Sequence, residues 1–163
     1  SCVVLNISSF VGQTKLNVMK KDRSNCPLTS ALDIIGDKWS LIIIRDIFLG
    51  KKTFTEFIKS SEKIATNILA NRLELLTANG LIKVTKLPND RKTKLYYLTD
   101  KGIDMYPIIY EMVQWSDRNL NKKFGPIGAE LLKNSQGQST KKVISKITLS
   151  YLNAREEILA KVK

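Results

Sequence analysis

Histidine is absent from all 163 residues. Its absence removes catalytic triads built on imidazole, histidine metal sites and imidazole proton transfer together. Cysteine is nearly absent too: Cys2 and Cys26 are too few for a disulfide framework and fit a reducing compartment, here expected to be the cytoplasm. Long apolar runs are missing. The longest, residues 41–44, is far below a membrane span, so no membrane partner is expected. Acidic residues are the scarcer charge, 15 against 27 Lys and Arg, which leaves a net charge of +12. So large an excess on a small chain calls for a polyanionic partner, nucleic acid before an anionic membrane surface. No glycine-rich phosphate loop and no motif-marked pair of carboxylates occurs. Catalysis, a metal and a cofactor are therefore not expected.

What is present has the balance of one folded domain, with 43% hydrophobic and 26% charged residues. Residues 1–18 differ from the rest. They lack the charged start and cleavage pattern of a signal peptide, and Met19 followed by KKDRSN would make a natural start. They are expected to be disordered or to precede the native chain. Pro27 suits the first turn of a helix, on which Leu28, Leu32 and Ile35 form one apolar face before Gly36 stops it. Asp37 can cap a second helix, buried on most sides through Trp39, Ile42, Ile43, Ile47 and Phe48 and ended by Gly50.

Residues 53–99 organise the chain. Thr53 and Glu56 have capping-box spacing and open a third helix, with Phe54, Phe57 and Ile58 facing inward. Ser60 and Ser61 break it. Ile64, Ile68, Leu69, Leu73 and Leu76 then form the stripe of a fourth helix over residues 65–79, closed by Asn79 and Gly80. Its other face carries Thr66, Asn67, Ala70, Asn71 and Glu74. These are small or hydrogen-bonding, as a helix needs in order to enter a major groove and pair with base edges. An ordinary solvated face has the same composition.

Residues 81–86 and 95–99 alternate as half-buried strands, and between them residues 87–94 are expected to form a turn carrying Arg91, Lys92 and Lys94. A cationic tip beside a groove-sized helix can reach phosphates or the minor groove. Residues 51–101 hold eleven Lys or Arg against five acidic residues, a surplus of six positive charges. Lys51, Lys52 and Thr53 with the hairpin cations are expected to hold phosphates, and Thr66, Asn67, Asn71 and Arg72 to read bases.

Asp100, Lys101 and Gly102 open a long helix with Ile103, Tyr106, Ile109, Tyr110, Val113 and Trp115, in which Pro107 kinks the chain or marks the true start. Residues 125–128 and 136–139 read as breaks around a short helix near 129–133, and a terminal amphipathic helix runs from about Ser139. Three segments result: 1–18; a winged helix-turn-helix domain with dimerisation helices over 19–124; and a helical extension over 125–163. Surplus apolar surface points to a two-fold dimer; folding of the last helix over its own core is the competing arrangement. Trp39, Phe48, Tyr110 and Trp115 are either core or the lining of a small-molecule pocket.

Several stretches resemble the HxlR-type winged-helix regulators, relatives of the MarR group: Cys-Pro at 26–27, Gly-Asp-Lys-Trp at 36–39, Asn-Gly-Leu-Ile at 79–82 and Tyr-x-Leu-Thr-x-x-Gly from Tyr96. The resemblance runs from about Asn25 to Trp115. It implies a mostly helical fold with a β-hairpin wing and a cytoplasmic, homodimeric transcription factor on a pseudo-palindromic double-stranded DNA operator. It also implies that Cys26, as in some members, senses an oxidant or electrophile effector. The helix-start dipole and Lys20, Lys21 and Arg23 would favour its thiolate. The alternatives are an unreactive helix-capping cysteine, and a winged helix that contacts protein or RNA.

Overall fold

The computed structural model describes residues 25–162. The expectations for residues 1–18, and the Lys20, Lys21 and Arg23 neighbours of Cys26, lie outside that range. In chain order the elements are α1 (Pro27–Ile35), α2 (Ser40–Phe48), α3 (Phe54–Ile58), α4 (Thr66–Ala78), β1 (Ile82–Leu87), β2 (Asp90–Leu98), α5 (Asp100–Ile103), α6 (Tyr106–Asn119), α7 (Pro126–Ser135) and α8 (Thr140–Ala160). This is a mostly helical winged helix-turn-helix fold.

Pro27 occupies the first turn of α1, and Gly36 ends it with its N–H on Leu32 O at 2.8 Å. Gly36 is required there by crowding and not by a left-handed backbone: a Cβ at this site would lie 2.3 Å from Leu32 O. Asp37 Oδ1 accepts the N–H groups of Trp39 and Ser40 at the entry to α2, from two residues ahead of the N-cap position, which Trp39 fills. Ile43, Ile44 and Ile47 on α2 are almost fully buried and form the centre of the core. Around them pack Phe57, Leu69, Leu73 and Leu76 from the helix pair, Leu81, Ile82 and Leu98 from the hairpin, Ile103 and Ile109, and Tyr151 from α8. The first helix keeps its apolar face, but the fold covers little of it. Only Ile35 is buried, while Leu28 and Leu32 remain 66% and 47% exposed.

The hairpin also differs in extent. It closes through a two-residue turn at Pro88 and Asn89, and β2 starts at Asp90, five residues before the expected Leu95. Pairing is regular from Ile82 opposite Leu98 to Lys86 opposite Lys94, then jumps to Leu87 opposite Asp90. Arg91, Lys92 and Thr93 are therefore bulged out of register. Two strands alone are marginal in water. This pair is held at its base by the burial of Leu81, Ile82 and Leu98, and by a bond from Tyr96 N–H to Lys52 O at 2.7 Å.

The segment after the hairpin is divided where one helix was expected. Asp104 and Met105 separate α5 from α6, and Pro107 sits in the first turn of α6, where its missing N–H costs nothing. Gly128 is not a break; it lies inside α7, whose ten residues extend the expected 129–133 at both ends. Ser139 caps α8 through Lys142 N–H. α8 folds over its own core: Tyr151 is 6% exposed, and Phe48 packs between Tyr106 and Tyr151 at ring-centroid distances of 4.8 and 5.0 Å. Phe48 and Tyr110 thus belong to the packed interior, Trp39 lies half-buried against it, and Trp115 is 53% exposed. No helix among the described residues is long and apolar enough to cross a membrane.

Candidate nucleic-acid interface

The helix-turn-helix consists of α3, a corner over residues 59–65, and α4. The start of α3 and the end of α4 are set by local chemistry. Thr53 Oγ1 accepts Glu56 N–H at 3.3 Å while Glu56 Oε2 accepts Thr53 N–H at 2.8 Å, a complete capping box. Gly80, at φ 71°, turns the chain out of α4, a conformation available to glycine without strain. The corner itself is braced from α2. Asp46, 2% exposed, receives Arg45 Nη2 at 2.7 Å, Lys51 Nζ at 2.9 Å and the Ser60 hydroxyl. Arg45 Nη1 also donates to Glu62 Oε1 at 2.8 Å. This guanidinium, outweighing the effect of burial, holds the Glu62 carboxyl at about 2.

With Leu69, Leu73 and Leu76 buried, α4 turns Thr66, Asn67, Ala70, Asn71 and Glu74 to solvent. Its N-terminus is open. Ala65 in the capping position offers no side-chain acceptor, and the first turn has no acidic residue. The first N–H groups and the positive end of the helix dipole therefore face outward, an arrangement suited to a phosphate. Between α4 and the hairpin runs a groove of about 810 Å³. Thr55, Ala70 and Thr77 line it on the helical side, Lys92 and Lys94 on the other, and Glu74 is the carboxylate within it. At the tip, hydrogen bonds from Thr93 and Lys92 hold the Asp90 carboxyl below its usual range and shape the bulge that carries Arg91 and Lys92.

The ten residues assigned to the interface from sequence fall into two groups. Thr66, Asn67, Asn71, Arg91, Lys92 and Lys94 are exposed on the α4 face and the hairpin, and Lys52 is exposed beside the start of α3. The other three are engaged inside the fold. Lys51 Nζ is bound to Asp46 and Ser60, Thr53 Oγ1 caps α3, and Arg72 Nε lies 3.5 Å from Asp37 Oδ1. Arg72 is thus a link from α4 to the α1–α2 corner. Asp37 itself titrates low: burial opposes this, but bonds from the Ser40 hydroxyl and the Trp39 and Ser40 N–H groups outweigh it.

One cation escaped the sequence reading. Lys86 is exposed and stands directly opposite Lys94 in the hairpin. Like charges at a cross-strand pair are unfavourable by themselves, and this pair concentrates positive charge beside the tip. Its signal depends on register, and the turn had been placed over both strand ends.

Cys26 is exposed and precedes α1 in the N-cap position. Its thiol is lowered from the ordinary range by the backbone N–H groups of Thr29 and then Leu28. Among the described residues no group of three potential ligands can hold a metal.

The model of the family described as HxlR-like helix-turn-helix matches residues 34–124, more than half the chain. An HTH-type transcriptional regulator of Mycobacterium tuberculosis is 31% identical over 96 residues, 59% of this chain; the chain spans only 60% of that relative's length. The HTH-type transcriptional regulator YodB of Bacillus subtilis is 32% identical over 94 residues, 57% of this chain and 84% of YodB. The solved structure of reduced YodB has a TM-score of 0.51 at 27% identity and covers 62% of this chain and 100% of that one. The redox regulator HypR in its oxidized form has a TM-score of 0.53 at 32% identity, over 60% of this chain and 100% of HypR. With its model matched over more than half of the sequence, the chain belongs to the HxlR-like helix-turn-helix family.

Proposed function

We propose that the protein is a homodimeric, sequence-specific DNA-binding transcriptional regulator of the cytoplasm. The observation that carries this reading is an exposed, nearly uncharged, hydrogen-bonding helix face beside a cationic hairpin, with a groove between the helix and the hairpin. Thr66, Asn67 and Asn71 enter the major groove, where an Asn amide can pair with both N6 and N7 of adenine. Lys52, Arg91, Lys92 and Lys94, with Lys86, hold phosphates of the flanking backbone and the adjacent minor groove. The named relatives are HTH-type transcriptional regulators, in keeping with a surface built for binding.

The dimer reading rests on apolar surface left uncovered on α1 and α6. Leu28 and Leu32 of α1, and Ile108, Met112 and Trp115 of α6, are each more than 40% exposed. Pairing two copies buries such a face and sets two α4 helices about 34 Å apart, one turn of duplex. Cys26 is the proposed point of control. It is exposed, its thiolate is favoured by two backbone N–H groups, and HypR is named a redox regulator.

Fluorescence anisotropy on a cognate and a random duplex tests the division of labour. Asn67→Ala with Asn71→Ala is expected to lower the cognate-to-random affinity ratio by roughly tenfold or more. Arg91→Ala with Lys92→Ala is expected to weaken both duplexes and to reduce the salt slope by about 2. Identical behaviour of the two double variants would refute the assignment of readers and anchors.

A further inference from the structure

We propose that the trough between the hairpin base, α2 and α8 is a binding site for a small alkyl carboxylate. The site exists only because α8 folds back on the winged domain, beyond the 34–124 stretch that the family model covers. A cavity of about 320 Å³ lies there, the volume of a small ligand. Its walls are apolar side chains, Leu95 from β2 and Ile147, Ala154 and Ile158 from one face of α8.

Two features select the ligand. The first is shape. The lining on α8 runs from Ile147 to Lys161, and at 1.5 Å per residue that is roughly 21 Å along the helix axis. So modest a volume drawn out along such a length is narrow, which suits a flexible alkyl chain better than a fused ring. Ala154 lines the trough one turn after Tyr151 and one turn before Ile158; it is exposed at the mouth, and its single methyl leaves open a stretch that a larger side chain would cover. The second is charge. Lys52 and Lys161 edge the trough against a single carboxylate, Glu157, while Lys51 is already bound to Asp46. An anionic head group gains a charge-assisted hydrogen bond at that rim as the chain leaves water.

The site stands independently of the DNA reading; its regulatory consequence rests on it. Lys52 is one of the phosphate anchors proposed above, and Tyr96 N–H is bonded to its carbonyl. A carboxylate at Lys52 neutralises that anchor while the alkyl chain presses against the base of the hairpin. Both effects weaken duplex binding.

Isothermal titration of the full chain with decanoate, 1-decanol and 2-naphthoate tests the site. Decanoate is expected to bind saturably, and about tenfold more tightly than the uncharged alcohol. It is also expected to outcompete the rigid naphthoate. Ala154→Leu should abolish decanoate binding with an unchanged or higher melting temperature. Lys161→Gln should weaken decanoate about tenfold and leave decanol unaffected, which preserves the test if the Leu variant does not fold. No saturable decanoate binding at millimolar concentration, tighter binding of naphthoate, or an indifferent folded Ala154→Leu variant would each overturn the proposal. The same titration is followed with labelled duplex. If the unliganded protein binds no duplex while decanoate still binds, the DNA reading fails and the site stands. Normal duplex binding without decanoate binding fails the site alone.

Discussion

Lys51 and Lys52 are neighbours with different work. Both are cations just ahead of α3, and composition alone does not separate them. Long-range partners do: Asp46 draws the Lys51 ammonium into a nearly buried network with Ser60, and Lys52 stays in solvent. Arg72 is diverted in the same way by Asp37, thirty-five residues earlier in the chain. Cys26 shows the opposite case, a residue whose setting is local and therefore legible. Being next to Pro27 placed it at a helix start, and the N–H groups of Thr29 and Leu28 follow from that position. If Cys26 is the sensor, diamide or a quinone is expected to lower operator affinity of the wild-type protein in a mobility-shift assay. Cys26→Ser should retain its affinity after the same treatment. Equal loss in both proteins, or in neither, would remove the cysteine from the mechanism.

At the scale of elements, the helix-turn-helix was readable because its boundaries are chemical. Thr53 with Glu56 opens α3, and Asn79 with Gly80 closes α4, all within a few residues. The hairpin was readable in kind and not in extent. Its tip depends on a bulge around Asp90, and strand pairing past such a bulge has no two-residue period to betray it. The fate of α8 was equally hidden, since an amphipathic helix does not name the surface it covers. Here Tyr151 Oη accepts Leu98 N–H at 2.7 Å, and Arg155 Nη1 donates to Leu98 O at 3.2 Å and to Asp100 Oδ1 at 2.7 Å. The helix is thus fastened to the end of β2.

The corner between α3 and α4 supplies a measurable link between elements. Arg45 on α2 reaches Glu62 in the corner, and the Glu62 carboxyl is held at about 2 against an ordinary 4.5. A carboxyl lowered by folding stabilises the protein above its unfolded value, and the contribution fades as pH drops from about 4.5 toward 2. Glu62→Gln is therefore expected to be less stable than wild type at neutral pH by about 1 kcal/mol, because the pair is partly solvated. That gap should close in acid. Urea denaturation at several pH values measures it, and a difference constant from pH 7 to the acid limit would show that Glu62 carries no ionic brace.

For the whole molecule, the cations and the uncovered apolar residues are carried mainly by different elements of one winged domain. The cations of the hairpin and the hydrogen-bonding face of α4 make the side proposed for DNA. The uncovered residues of α1 and α6 make the side proposed for a second copy. The α4 face is nearly uncharged, so on the proposed reading tight binding draws on the hairpin phosphate contacts and on two reading helices acting together. This places the weight of the account on symmetry in the operator. Selection from a pool of random duplexes measures it directly. The account predicts that the recovered sequences share an inverted repeat whose half-sites are centred about one helical turn apart. Recovery of no common sequence, or of a single unpaired half-site, would contradict it.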